Sequence, residues 1–103
     1  AKINFEDFEE SRVVSWQRQG HLFGVPFYYV EYGIAQLGAL QMWQFHRRDE
    51  SDALERYKAG LSLGYTKGLT ELFEASGLKF SFEQEHVEKL INEVNTALDE
   101  LPA

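Results

Sequence analysis

Residues 27–48 read FYYVEYGIAQLGALQMWQFHRR. Val30, Ile34, Leu37, Leu40, Met42, Trp43 and Phe45 fall in nearly every direction around a helix, and a helix that is apolar all round is a buried one. Gly33, Ala35, Gly38 and Ala39 lie among them. An interior glycine costs about 1 kcal/mol relative to alanine, so these small residues predict close approach by a neighbouring backbone. The stretch closes on His46-Arg47-Arg48, cations suited to a helix C-terminus, with Asp49, Glu50 and Asp52 directly after as the acidic start of another helix. It is the expected central helix of the chain.

Upstream, Phe5 to Gln19 carries Phe5, Phe8, Val13 and Trp16 at mostly three-residue spacings with acids clustered at its start, which predicts a short amphipathic helix stopped by Gly20. Gly20 to Pro26 holds two glycines and a proline and is expected to be a loop. Downstream, Asp49 or Ser51 can cap a third helix whose buried face is Leu54, Tyr57 and Leu61. A fourth, Leu69 to Ser76, ends at Gly77 as a left-handed cap. Leu78, Phe80 and Phe82 alternate with polar residues in an extended connector, and Ser81 with Gln84 offers a capping box for a last helix striped with Val87, Leu90, Ile91, Val94 and Leu98. There is no internal repeat. The expectation is an all-α fold of about five helices around a buried central one, in a single domain over residues 1–103.

Ten Lys and Arg against 17 Asp and Glu give a net charge of −7, a field that repels phosphate backbones and anionic lipid, so no nucleic acid is expected as a partner. The absence of cysteine excludes a disulfide framework, a thiolate zinc site and a cysteine nucleophile. No run of 18 apolar residues occurs and the leading residues are acidic, so neither a membrane span nor a signal peptide is expected, and the chain reads as cytoplasmic. Aromatic residues make up 15%, a share that calls for a well-filled core or a surface covered by something else.

Three histidines are present, and none begins the H-E-x-x-H pattern that sets two imidazoles one turn apart with a water-activating glutamate. Glu83-Gln84-Glu85-His86 contains one Glu-x-x-His, but carboxylate-bridged metal bundles need a second copy, so its acids read as a solvated first helical turn. No phosphate-binding glycine loop is found. Ser11, Ser15, Ser62 and Ser76 lie in no nucleophile elbow and read as helix-surface residues.

The remaining candidate is HLFGVPFYYVEYG, His21–Gly33. On a helix beginning near Phe27, Tyr32 lies one turn from Tyr28 and three residues from Tyr29, so that two hydroxyls can meet, and the preceding loop can bring His21 to them. Such neutral donors stabilise a developing oxyanion or pair with a peptide backbone. The same residues also suit a core of satisfied tyrosines with His21 as a surface loop residue. Spacing leaves both readings open.

HLFGVPFYYVEYGIAQLGALQMW, together with YKAGLSLGYTKGLTELFEASGLKFSF, resembles the C-terminal part of oligoendopeptidase F type zinc metallopeptidases, relatives of thimet oligopeptidase. The resemblance runs from about Trp16 to Phe82. It rests on the histidine, short loop and Pro-Phe-Tyr, the tyrosine-bearing helix, Leu-x-Leu-Gly at Leu61–Gly64 and Glu-Leu-Phe-x-x-x-Gly at Glu71–Gly77. It implies a helical enclosure around a deep channel, in which His21 contacts bound peptide and Tyr32 hydrogen-bonds the scissile carbonyl or its tetrahedral intermediate. Tyr28 occupies a second catalytic tyrosine position, and Tyr29 is its rival on the substrate-binding side. In the family a zinc-bearing H-E-x-x-H helix precedes this segment. The resemblance therefore implies the substrate-binding, oxyanion-stabilising portion of a zinc oligopeptidase, binding no zinc by itself, inactive alone and acting on peptide only when joined to the zinc-bearing portion. The competing expectation is a free-standing helical module that binds a partner or self-associates.

Overall fold

The apolar stretch at the centre of the sequence is helical from Val30 to Arg48, starting three residues later than its first apolar residue, Phe27. The delay comes from the backbone just before it. Val25 is kept out of the helical region ahead of Pro26, at φ −138° and ψ 79°, as the clash with a following proline ring requires. The Tyr28 amide donates to the Val25 carbonyl at 3.2 Å, and Phe27 between them has φ 67°. Proline second and a positive φ third are the marks of a type II turn, where glycine is the usual third residue. A phenylalanine there carries a steric cost of about 1–2 kcal/mol. Only after this turn do the Glu31 and Tyr32 amides reach back to the Tyr28 and Tyr29 carbonyls, at 3.0 and 3.3 Å, and open the helix.

The computed structural model describes residues 4–102. In chain order the helices are α1 (Glu9–Val14), running into a tight 3₁₀ turn at Ser15–Arg18, α2 (His21–Gly24), α3 (Val30–Arg48), α4 (Glu50–Ser62), α5 (Leu69–Ala75) and α6 (Gln84–Asp99). No strand occurs among the described residues, and the fold is all-α. The sixth helix is α2, a single turn where a loop was expected. The Phe23 and Gly24 amides both donate to the Gly20 carbonyl, so the glycines allow a turn of helix before Pro26 ends it.

The chain falls into two compact units, one ending at Tyr32 and the other beginning at Gly33. In the first, α1 places Glu9 and Glu10 in its opening turn and pairs Glu9 with Arg12, and Trp16 stacks on Phe23 with ring centroids 5.9 Å apart. None of its described residues is buried.

The second unit is better knit. Asp49 caps α4, its carboxylate accepting from the Asp52 amide at 3.1 Å. Gly77, at φ 70°, closes α5: its amide donates to the Glu74 carbonyl and that of Leu78 to the Phe73 carbonyl, each at 2.8 Å, which is a complete left-handed glycine cap. The expected capping box at α6 does not form. Ser81 accepts the Glu83 amide at 3.2 Å, outside the helix, and the Gln84 side chain reaches forward to Glu88 at 2.7 Å. The connector before α6 is fixed by Gln41, a buried amide on α3 whose Nε2 donates to the Lys79 carbonyl at 3.0 Å and whose Oε1 accepts the Lys79 amide at 2.8 Å.

Burial departs from the pattern read in the sequence. Along α3, Gly38 and Gln41 are buried and Ile34, Leu37, Leu40 and Met42–Phe45 are half-buried, whereas the first turn through Gly33 is exposed. On α4 the buried residues are Ala53 and Gly60, and Leu54, Tyr57 and Leu61 are exposed. The reason is close packing of α4 and α5 through small residues: a methyl added at Gly60 would meet Ser76 Oγ, and Ser76 is buried instead of lying on the surface. On α6, Leu90 is buried with Val87 and Val94 half-buried, while Ile91 and Leu98 are exposed. Neither glycine on α3 meets a neighbouring backbone as expected: a methyl added at Gly38 would meet the Phe73 side chain at 3.1 Å, and Gly33 has open space.

Candidate functional site

His21 opens α2 and Tyr28, Tyr29 and Tyr32 stand around the start of α3, so the type II turn at Val25–Tyr28 folds the chain back and brings all four into one cluster. The His21 ring lies 6.3, 5.9 and 5.6 Å from the rings of Tyr28, Tyr29 and Tyr32, stacked on the first and edge-on to the last. Tyr32 in turn meets both other tyrosines, at 6.2 Å for Tyr28 and 5.4 Å for Tyr29. Residues three and four positions apart are neighbours on a helical turn, so both tyrosines reach Tyr32 and neither is set apart as its partner.

The polar link in the cluster is between the Tyr32 hydroxyl and His21 Nε2, 3.3 Å apart, at the long end of hydrogen bonding. Its direction matters chemically. With the proton on Nε2, the imidazole donates to the tyrosine oxygen and leaves the tyrosine O–H free to donate outward. With Nε2 bare, the O–H is consumed by the imidazole. The cluster is open to solvent, with Tyr28, Tyr29 and Tyr32 exposed at 45, 38 and 53% and His21 exposed as well. It is thus not a closed core of satisfied tyrosines, and its hydroxyls can meet an incoming group.

Beside it, His21, Leu22, Val25, Phe27, Tyr29 and Val30 line a cavity of about 430 Å³. The sequence reading missed this cavity; its signal was Pro26-Phe27, an aromatic residue at a turn position that favours glycine. A cavity of about 480 Å³ in the second unit, among Gly38, Met42, Tyr57, Leu72, Phe73 and Leu78, holds none of the candidate residues.

No group of three His, Cys, Asp or Glu side chains among the described residues is arranged to hold a metal ion. His46 lies 3.8 Å from Glu50, and His86 is half-buried with its Nε2 unpartnered among the described residues. The described residues offer no side-chain set that fits zinc. The basic cluster is spent on acids as well: Arg47 pairs with Glu100 at 2.9 Å and Arg48 with Glu93 at 3.8 Å, both on or next to α6. No helix among the described residues is long and apolar enough to cross a membrane.

No protein-family model and no curated protein matches the chain. Among solved structures, the chain is similar to an X-ray structure named "putative Oligoendopeptidase F", with a TM-score of 0.80 and 32% sequence identity over 93% of this chain. The chain resembles part of that oligoendopeptidase F structure in fold and in sequence. It spans 17% of the length of that protein. The likeness extends over nearly the whole chain.

Proposed function

We propose that this chain is a single helical piece of a larger zinc-dependent oligopeptidase, the piece that binds peptide and stabilises the oxyanion formed at its scissile carbonyl. The observation that carries the reading is the exposed Tyr32 hydroxyl within 3.3 Å of His21 Nε2, ringed by Tyr28 and Tyr29. A protonated Nε2 orients the Tyr32 O–H toward the substrate oxygen, and a donor fixed in advance at developing negative charge acts on the transition state more than on the ground state. His21 also offers its ring to the peptide, so it positions the scissile bond. Catalytic hydrogen bonds are often long without substrate and tighten when it binds. The metal, its ligands and the water-activating glutamate belong to the portion outside this chain, which by itself does not hydrolyse peptides.

Steady-state kinetics of the enzyme carrying this segment joined to its zinc-bearing portion tests the reading. Tyr32→Phe keeps the ring and removes one donor, so kcat is expected to fall about a hundredfold or more with KM little changed. His21→Ala is expected to lower kcat and raise KM together. Wild-type kcat in Tyr32→Phe would return the cluster to a packing role. The second reading, a free-standing module that self-associates, is favoured by the exposed Trp16, Phe23 and Phe27 of the first unit. Tyr32→Phe separates the two, since association through those side chains is indifferent to the hydroxyl.

A further inference from the structure

We infer that Phe27 and the cavity beside it form a binding pocket for an apolar side chain of the peptide, next to the bond that is cut; this rests on the proposed peptidase role of the His21 and Tyr32 pair. Three observations meet here. Phe27 is held at φ 67°, a conformation glycine adopts freely and phenylalanine does not. The residue is 96% exposed, so the strained backbone gains almost no burial within the chain. And that ring is one wall of the 430 Å³ cavity, whose other walls are Leu22, Val25 and Val30 with His21 and Tyr29.

The occupant follows from the lining. It carries no charged group, and its polar members, His21 and Tyr29, belong also to the donor cluster. A substrate whose carbonyl is held by Tyr32 and His21 thus has its adjoining side chain at the mouth of an apolar cavity of a size that accepts small organic groups. A leucine or phenylalanine side chain buries apolar surface there. An aspartate or lysine leaves its charge without a partner and is rejected.

The test is kinetic, on the enzyme carrying this segment joined to its zinc-bearing portion, with internally quenched peptides varied in turn at the two positions flanking the cut among Ala, Leu, Phe, Asp and Lys. At one of the two positions, Leu or Phe is expected to exceed Ala in kcat/KM by about tenfold or more, with Asp and Lys below Ala. Phe27→Asn removes the ring but tolerates the positive φ, so thermal stability is expected to hold or rise while the Leu-to-Ala and Phe-to-Ala ratios fall toward one through KM. A role of Phe27 in folding alone would lower stability and leave those ratios as they were. Turnover that depends on Tyr32 but shows no apolar preference at either position, or ratios unchanged in Phe27→Asn, overturns the pocket and leaves the donor pair standing. Absence of peptide turnover, or turnover indifferent to Tyr32→Phe, overturns both.

Discussion

Two glutamines three residues apart on α3 show how far a single side chain's worth depends on its partner. Gln41 and Gln44 look alike in the sequence, yet Gln41 clamps both backbone groups of Lys79, whereas Gln44 Nε2 is buried with no partner among the described residues. A net hydrogen bond contributes about 1 kcal/mol, and a buried polar group left unpaired costs about 1–3 kcal/mol. Gln41→Leu should therefore destabilise the second unit by about 1–2 kcal/mol, because water can take over only part of what Lys79 loses. Gln44→Leu should be neutral or stabilising, since it removes a donor that has nothing to donate to. Urea unfolding of the two variants checks the contrast, and equal midpoints would mean that the clamp contributes nothing. Neither role could be read locally, because Gln41 meets Lys79 across 38 positions of sequence.

At the level of elements, the joint between α4 and α5 is set by the missing side chain of Gly60. A Cβ there would meet Ser76 Oγ, lie 3.3 Å from Ser76 Cβ and approach the Leu72 carbonyl at 3.5 Å. Alanine gains about 1 kcal/mol of helix propensity over glycine. Forcing a methyl into a packed joint costs about 1–3 kcal/mol, so Gly60→Ala should be destabilising on balance, and a rise in melting temperature would show that Ser76 moves aside freely. The same joint explains what the sequence could and could not convey. Asp49 and Gly77 were legible because caps are local chemistry, and both do what was expected of them. The face of α4 was not, since periodicity finds the large apolar residues Leu54, Tyr57 and Leu61 but cannot tell that Ala53 and Gly60 are the buried ones, Gly60 against Ser76 and Leu72. The aromatic cluster was legible as a concentration of residue types; the late start of α3 was not, because it depends on a phenylalanine accepting a positive φ.

Across the whole molecule, apolar burial is thin and uneven. Among the described residues Ala53 and Leu90 are the buried apolar side chains, and both lie in the second unit, while the first exposes Phe8, Val13, Trp16, Phe23 and Phe27. A short chain buries a smaller share of its surface than a long one, but an apolar set this exposed is a surface made to be covered. Local opening costs least where few apolar contacts must be broken, so stability in the isolated chain should divide at the boundary between the units. Limited proteolysis with chymotrypsin reads this directly, since its preferred aromatic residues occur on both sides of Gly33. Cleavage at Phe8, Trp16, Phe23 or Phe27, and at the fully exposed Tyr65 in the turn between α4 and α5, should come first, whereas Phe73 and Phe80, half-buried and stacked edge-on at 5.3 Å, should resist. Under the proposed function, a zinc-bearing portion joined to this chain would cover the first unit's apolar face, and the early sites there should then be protected. Early cleavage at Phe73 or Phe80 in the isolated chain would contradict the division. Unchanged cleavage at Phe23 and Phe27 in the joined enzyme would instead mean that this face stays open, and the high aromatic content would then need a partner of another kind.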